Sequence, residues 1–103
     1  MGLRKKQSQF VRMIVKLIVF AEDNGYELTF GDAYRDARCN YGHPNSLHRL
    51  KLAMDLNLYR DGVYLKKTED HVLLGQFWES IGGAWGGTWG DGNHYSLAHK
   101  GMR

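Results

Sequence analysis

Two short segments of the sequence carry the side chains best suited to metal chemistry. The first holds His48 with Asp55 seven residues later, and the second holds Asp91 with His94 three residues later. Two imidazoles and two carboxylates, with no cysteine beside them to compete, form a ligand set that zinc accepts. Three such ligands would hold the ion and leave its fourth position open for water, which is the arrangement of a hydrolytic site.

The spacing within each segment leaves the geometry open. Seven residues along one regular strand would point His48 and Asp55 to opposite faces, so they converge only if the chain bends between them or the segment is helical. In a turn entering a strand, Asp91 could stand beside a metal held by His94 and move a proton without binding the ion. The ordinary alternatives are hydrogen-bonding histidines, a satisfied buried carboxylate at Asp55 and a turn residue at Asp91.

Three motifs surround these residues: Ser46-x-His48-x6-Asp55-Leu56, Trp85-Gly86-Gly87-x-Trp89 and Asp91-x-x-His94-Tyr95. Together they resemble the zinc D-Ala-D-Ala carboxypeptidase and L-alanyl-D-glutamate peptidase family, which are VanY-like LAS metallopeptidases, and within it the small bacteriophage endolysins. The resemblance covers nearly the whole chain, from the first apolar helix through Gly25-Tyr26-Glu27-Leu28 and Tyr34-Arg35 to Tyr95. It implies the α+β fold that this family shares with the hedgehog signalling domain.

The resemblance also implies a role for each matched residue. It implies that His48, Asp55 and His94 bind Zn²⁺ and that Asp91 is the general base and acid. Arg35 stands where the family places an arginine that holds the substrate or the polarised carbonyl, and a guanidinium suits that role because it stays charged and binds carboxylates through two parallel hydrogen bonds. The residues expected to contact the substrate or shape its cleft are Arg35, Ser46, Trp85, Trp89 and Tyr95.

The function that the resemblance implies is a zinc-dependent peptidase that hydrolyses peptidoglycan stem peptides by means of a metal-activated water. Carboxypeptidase members usually carry Glu where this chain has Asp91, so we expect an L-alanyl-D-glutamate endopeptidase similar to phage endolysins. The chain departs from many members at residues 49–52, which are bulky and basic. The alternatives are a D-Ala-D-Ala carboxypeptidase, or a non-catalytic zinc-containing module that binds the cell wall, with His43 or His99 closing the metal site.

The helices and strands predicted around these residues form a small α+β domain, in which a small antiparallel sheet packs with two main helices. Apolar residues recur at helical spacing from Phe10 to Ala21, and Gly25 would end that helix. Short strands are expected at 26–30, 52–59, 63–65 and 94–97, with a hairpin turn at Asp61-Gly62 and a long loop at 31–45.

The second predicted helix follows Thr68, which would cap its amino terminus, with acidic residues in the first turn. Gly82-Gly83 would end it. Its buried side is expected to comprise Leu73, Leu74, Phe77, Trp78 and Ile81. The Gly- and Trp-rich segment 84–93 then leads into the last strand.

Length, charge and cysteine content limit the kinds of protein that this chain can be. With 103 residues the chain is expected to form one catalytic domain, 1–103, and a monomer. A net charge of +3 and a pI of about 9.1 suit binding to an anionic cell envelope. The sequence contains no motif that reads nucleic-acid bases, so we expect no nucleic-acid partner. The single Cys39 excludes an intrachain disulfide.

Arg12 and Lys16 interrupt the most apolar stretch of the chain, and no cleavage site follows that stretch. We therefore expect no membrane insertion and no signal peptide, and a location in the host cytoplasm before release onto the wall.

Overall fold

A computed structural model describes residues 2–31 and 47–103 of the chain. In chain order its elements are α1 (Leu3–Asp23), β1 (Glu27–Phe30), β2 (Ala53–Arg60), β3 (Val63–Leu65), a 3₁₀ turn (Thr68–His71), α2 (Val72–Ser80), β4 (Ala84–Trp85), a second 3₁₀ turn (Gly86–Trp89) and β5 (His94–Ser96). The predicted α+β class, with two helices and a small antiparallel sheet, is confirmed. The predicted loop at 31–45 lies outside the described residues except for Gly31.

The first helix is the amphipathic element that its periodicity predicts. Phe10, Met13, Ile14, Leu17 and Ala21 lie on its buried side and belong to the hydrophobic core. The helix ends as expected, because Gly25 adopts a positive φ of 83° and the Tyr26 amide donates to the Ala21 carbonyl at 3.0 Å. This turn directs the chain into β1.

The sheet has five strands in the order β1-β2-β5-β4, with β3 also paired to β2, and every pairing is antiparallel. The hairpin between β2 and β3 turns at Asp61 and Gly62, whose φ angles are both positive, as a two-residue hairpin loop requires. The strand β4 was not predicted, because two residues in a Gly-rich stretch give no periodic signal. The second half of β2 pairs with β1, while its first three residues pair with β5.

The core lies between the sheet and the two helices. Leu74 and Trp78 of α2 are fully buried, and the Trp78 indole N–H donates to the Ser96 carbonyl at 2.8 Å, which ties α2 to β5. The prediction that Leu73 belongs to the buried side is wrong, since 40% of it is exposed. The buried face of α2 is centred on Leu74 and Trp78, and Leu73 lies about 100° around the helix from Leu74, at the exposed margin of that face.

Thr68 does not cap α2, contrary to the prediction. The Asp70 carboxylate instead accepts a hydrogen bond from the Lys67 amide at 3.1 Å at the start of the 3₁₀ turn. The Thr68 hydroxyl points to the loop before β5. Within residues 2–31 and 47–103, neither helix has the length and apolar character that crossing a membrane would require.

Candidate metal centre

A sharp turn before β2 brings His48 back to Asp55. His48 lies in the turn formed by residues 47–51, where the Leu52 amide donates to the Leu47 carbonyl at 2.9 Å and Lys51 adopts a φ of 58°. β2 starts two residues after Lys51 and carries Asp55 as its third residue. The chain therefore bends between the two residues, and the His48 Nε2 atom lies 3.4 Å from the Asp55 Oδ1 atom.

Strand pairing brings His94 to the same carboxylate. Asp55 on β2 and His94 on β5 are direct partners in the antiparallel register, so both side chains project from the same face of the sheet. The His94 Nδ1 atom lies 3.7 Å from Asp55 Oδ1. The backbone of β2 is fixed here by two further bonds, from the Gly31 amide to the Asp55 carbonyl at 2.7 Å and from the Leu56 amide to the Asn93 carbonyl at 2.9 Å.

These three side chains form the cluster that we call the metal centre: His48, Asp55 and His94. One nitrogen or oxygen atom of each lies within 4.8 Å of the others, and all three residues are buried, with 3%, 8% and 7% of their surface exposed. Zinc bonds of about 2.0–2.2 Å in a tetrahedral arrangement separate neighbouring ligand atoms by roughly 3.4 Å. The observed separations of 3.4 and 3.7 Å are therefore close to those that one shared zinc ion requires.

Two polar atoms of the metal centre lack a hydrogen bond to the described residues. Asp55 Oδ1 and His94 Nε2 are buried and have no hydrogen-bond partner among the described residues. A buried polar atom without a partner costs about 1–3 kcal/mol, more when it is charged. Nitrogen and carboxylate oxygen atoms are ligands that zinc accepts, although other divalent ions accept them too. The donor set, the spacing and the unpartnered Asp55 Oδ1 atom fit a bound divalent metal.

The Asp55 carboxylate is ionised in this setting. Burial by itself would raise its pKa, but the neighbouring His48 and His94 rings outweigh that effect and lower the pKa to about 2. At neutral pH the metal centre thus holds a buried anion between two imidazoles. Such a site attracts a cation, because the ion would supply the charge compensation that the surrounding apolar core does not.

Asp91 lies beside the metal centre as an exposed residue of the turn that enters β5. Its amide donates to the Gly86 carbonyl at 2.8 Å, and its own carbonyl accepts from the His94 amide at 3.1 Å. Its side chain is not part of the ligand cluster and has neither a hydrogen bond nor an ion pair with the parts of the chain described. The turn thus bonds the backbone of Asp91 to that of the candidate ligand His94, while Asp91 is not itself part of the cluster.

The turn around Asp91 is held from two sides. The Thr68 hydroxyl donates to the Gly90 carbonyl at 3.3 Å and accepts from the Gly92 amide at 3.2 Å, so it bridges the two neighbours of Asp91. The indole N–H of Trp85 donates to the Gly92 carbonyl at 2.7 Å. Sequence reasoning missed Thr68, because a threonine followed by two acidic residues matches a helix cap equally well.

Gly86 allows the same turn to close on the metal centre. A Cβ atom there would overlap the Asp91 carbonyl oxygen and lie 2.7 Å from the Cβ of His94. Any larger residue would push the turn away from β5. Gly86, the first glycine of the Trp-Gly-Gly motif, is therefore needed because the backbone of Asp91 passes too close for a side chain, and not because the chain must be flexible there.

The three aromatic residues assigned to the cleft have different positions. Trp85 is buried, and its ring packs against Gly75 of α2 and Gly87, where a Cβ atom would overlap it. Trp89 is 42% exposed, and its ring centroid lies 5.4 Å from that of His94 at an interplanar angle of 63°. Of the three, only Trp89 presents a large exposed surface beside the metal centre.

Tyr95 lies on the opposite face of the sheet from the metal centre and is fully buried. Its hydroxyl is hydrogen-bonded to His71 Nδ1 at 2.8 Å, and burial raises the pKa of the phenol well above its usual range. Direct contact with a substrate, one of the two roles predicted for Tyr95, is not available to a fully buried side chain. Its contacts with His71 and Trp78 instead anchor the strand that carries His94.

Three predicted residues, Arg35, Ser46 and His43, lie outside the described residues, so their roles stay predictions. His99 does not join the metal centre; its Nδ1 atom lies 3.3 Å from the Lys6 amino group. In the described ranges no fourth histidine or acid completes the cluster.

Comparison with known protein families gives a match. The sequence model of a family described as D-alanyl-D-alanine carboxypeptidase matches residues 40–97, which is more than half of the chain. The matched segment contains His48, Asp55, Asp91 and His94. No curated protein matches the chain significantly.

Proposed function

The chain belongs to the D-alanyl-D-alanine carboxypeptidase family, and from this we propose that it is a zinc-dependent peptidase acting on the stem peptides of bacterial peptidoglycan. The observation that carries the proposal is the convergence of His48, Asp55 and His94 into one buried cluster within the matched segment. A bound metal would give the buried Asp55 Oδ1 atom, which has no hydrogen-bond partner among the described residues, the partner that burial requires.

His48, Asp55 and His94 would hold the ion through two neutral imidazoles and one carboxylate. When bound, zinc supplies a Lewis acid that lowers the pKa of a coordinated water and polarises a carbonyl. The ionised Asp55 offsets one of the two positive charges. Its position between the two imidazoles sets the separation of the ligands, because it contacts both rings.

Asp91 is the proposed general base and acid. Its carboxylate is exposed and has no partner in residues 2–31 and 47–103, so it is available to take a proton from the attacking water and pass it to the leaving amine. The hydrogen bonds of the Asp91 amide to Gly86 and of the Asp91 carbonyl to His94 fix the backbone that carries this carboxylate. A proton acceptor whose backbone is fixed before the substrate binds accelerates the reaction, because less freedom is lost in the reacting complex.

The bond that is cut is proposed to be the L-alanyl-D-glutamate link, as in the small phage endolysins. The support is the aspartate at position 91, where carboxypeptidase members usually carry glutamate. A D-Ala-D-Ala carboxypeptidase is the second candidate, favoured by the description of the matching family. A non-catalytic wall-binding module would need a fourth ligand. His99, one of the two residues considered, contacts Lys6 and does not close the metal centre, while His43 lies outside the described residues.

The proposed partner is the cell wall alone, with the protein acting as a monomer and without nucleic acid or membrane insertion. The positive net charge of +3 favours adsorption to an anionic envelope. We further propose that the protein is stored in a host cytoplasm and reaches the wall after release.

The experiment that tests the function is a digest of purified peptidoglycan with the zinc-loaded protein, read by mass spectrometry. New amino termini at D-glutamate would support the endopeptidase, and release of single D-alanine would support the carboxypeptidase. A parallel digest with the Asp91→Ala protein controls for contaminating hydrolases. The absence of any product from zinc-loaded wild-type protein would contradict the proposal and favour the binding module.

A further inference from the structure

An arginine lies over the exposed aromatic ring at the edge of the metal centre. The guanidinium carbon of Arg103 is 4.9 Å from the centroid of the Trp89 ring. The Trp89 ring in turn contacts the His94 ring at 5.4 Å. Arg103 lies outside residues 40–97, so the family match says nothing about it.

The charge of Arg103 has no acidic partner in the structure's two described ranges. Arg103 is exposed, and no carboxylate there lies within ion-pair distance of it. Stacking on an indole uses the face of the guanidinium and leaves its N–H donors at the edge available. Those donors form the planar fork that binds a carboxylate through two hydrogen bonds.

Arg103 lies at a distance from the metal centre that suits a carboxylate next to the reacting bond of the proposed substrates. The two ring separations put the guanidinium within about 10 Å of the His94 ring. An extended peptide advances about 3.3–3.6 Å per residue, so a separation of about 10 Å spans about three residues. Arg103 is therefore within reach of the residue next to a bond that reacts at the metal centre. In both candidate reactions the residue that leaves as the amine carries a free carboxylate, the α-carboxylate of D-glutamate or the terminus of D-alanine.

We propose that Arg103, held on the Trp89 ring, binds this free carboxylate and so selects substrates that carry a negative charge beside the reacting bond. The proposal rests on the proposed function for the identity of the substrate. It assigns Arg103 as a specificity-determining residue and Trp89 as the surface that positions it. The pair lies next to the candidate ligand His94.

The test compares two peptides and three substitutions. One peptide is L-Ala-D-Glu with free carboxylates, and the other is the same peptide with its carboxylates converted to amides. The substitutions are Arg103→Gln, Arg103→Lys and the control Lys100→Gln, which removes one positive charge from a nearby exposed position. Each substitution is made in the zinc-loaded Asp91→Ala protein, so that Kd for the intact peptides is measured by calorimetry without turnover.

We expect Arg103→Gln to raise Kd for the carboxylate peptide about tenfold or more, as the loss of a charge-assisted bidentate contact does, and to leave Kd for the amide peptide unchanged. Arg103→Lys should recover part of the loss, and Lys100→Gln should have no effect. Equal Kd values for the carboxylate peptide in the Arg103→Gln and parent proteins would overturn the proposal. An equal loss in Lys100→Gln would also overturn it, because general charge would then explain the binding.

Failure of the proposed function has a different signature. It is decided by turnover of peptidoglycan by the wild-type protein, whereas the role of Arg103 is decided by the two Kd values alone. A protein that prefers the carboxylate peptide through Arg103 but releases no product would retain the binding inference and lose the enzymatic one.

Discussion

Asp55 and His94 face each other directly across β2 and β5, with the Asp55 Oδ1 and His94 Nδ1 atoms 3.7 Å apart. The pairing joins residues that are far apart in the sequence. Two of the three members of the metal centre thus converge only when the sheet has formed, and metal binding should be coupled to folding.

The first prediction concerns the metal. The wild-type protein should bind one equivalent of zinc, and His94→Ala should bind none at micromolar zinc, because two ligands remain. Zinc at a hundredfold excess over its Kd should raise the free energy of unfolding by about 2.7 kcal/mol. Metal content after dialysis and urea unfolding with and without zinc measure both effects.

The matched control for that experiment is His99→Ala. It removes a histidine that bonds to Lys6 and lies outside the metal centre, so its zinc content should equal that of the wild type. Loss of zinc from His99→Ala, or its retention by His94→Ala, would contradict the assignment of ligands.

A second prediction separates catalysis from metal binding. Asp91→Ala should retain zinc and lose hydrolysis by about 10²-fold or more, because a positioned proton acceptor contributes about 10²–10⁴ in rate. Asp61→Asn, an exposed turn residue in the β2–β3 hairpin, is the control and should keep wild-type activity. Full activity in Asp91→Ala would remove Asp91 from the mechanism.

A third prediction addresses the support of the Asp91 turn by Thr68. Thr68→Val keeps the shape of the side chain but removes both hydrogen bonds, to Gly90 and Gly92, and should lower the free energy of unfolding by about 1–2 kcal/mol. The value of kcat should fall while zinc content stays at one equivalent. Thr68→Ser retains the hydroxyl and should restore kcat; equal kcat in the valine and serine variants would show that the hydroxyl does not position Asp91.

A fourth prediction uses the buried His71. Burial lowers its pKa, and the nearby Asp70 only partly opposes that effect. The unfolded chain, with a histidine pKa near 6.5, therefore binds the proton more readily, so stability must be lost as the pH falls below about 6.5. His71→Gln, which does not titrate, should show a smaller loss of unfolding free energy than metal-free wild type between about pH 7.5 and 5.5. An equal loss in both proteins would contradict this assignment.

Local patterns were sufficient to predict most of the elements. The apolar spacing of α1 and the positive φ at Gly25 and Asp61-Gly62 are encoded within a few residues, and the structure agrees with each. The start of α2 could not be predicted in this way. Thr68 has the side chain of a helix cap, but a tertiary contact with the loop before β5 uses its hydroxyl instead.

The candidate site was predictable in its residue types but not in its geometry. The bend between His48 and Asp55 depends on the φ of 58° at Lys51, for which a lysine gives no sequence signal. The burial of Tyr95 follows from the register of β5, since alternate residues of a strand face opposite sides and His94 occupies the side of the metal centre. Arg103 gave no signal, because its relation to Trp89 exists only in three dimensions.

The most direct test of the account is the rate of peptidoglycan hydrolysis measured while zinc is titrated into metal-free protein. The account predicts a rate that rises in proportion to zinc, reaches a plateau at one equivalent, and stays at background for His94→Ala at every concentration. Hydrolysis by the metal-free protein at the plateau rate, or activity in His94→Ala equal to that of the wild type, would contradict the claim that His48, Asp55 and His94 form the catalytic metal centre.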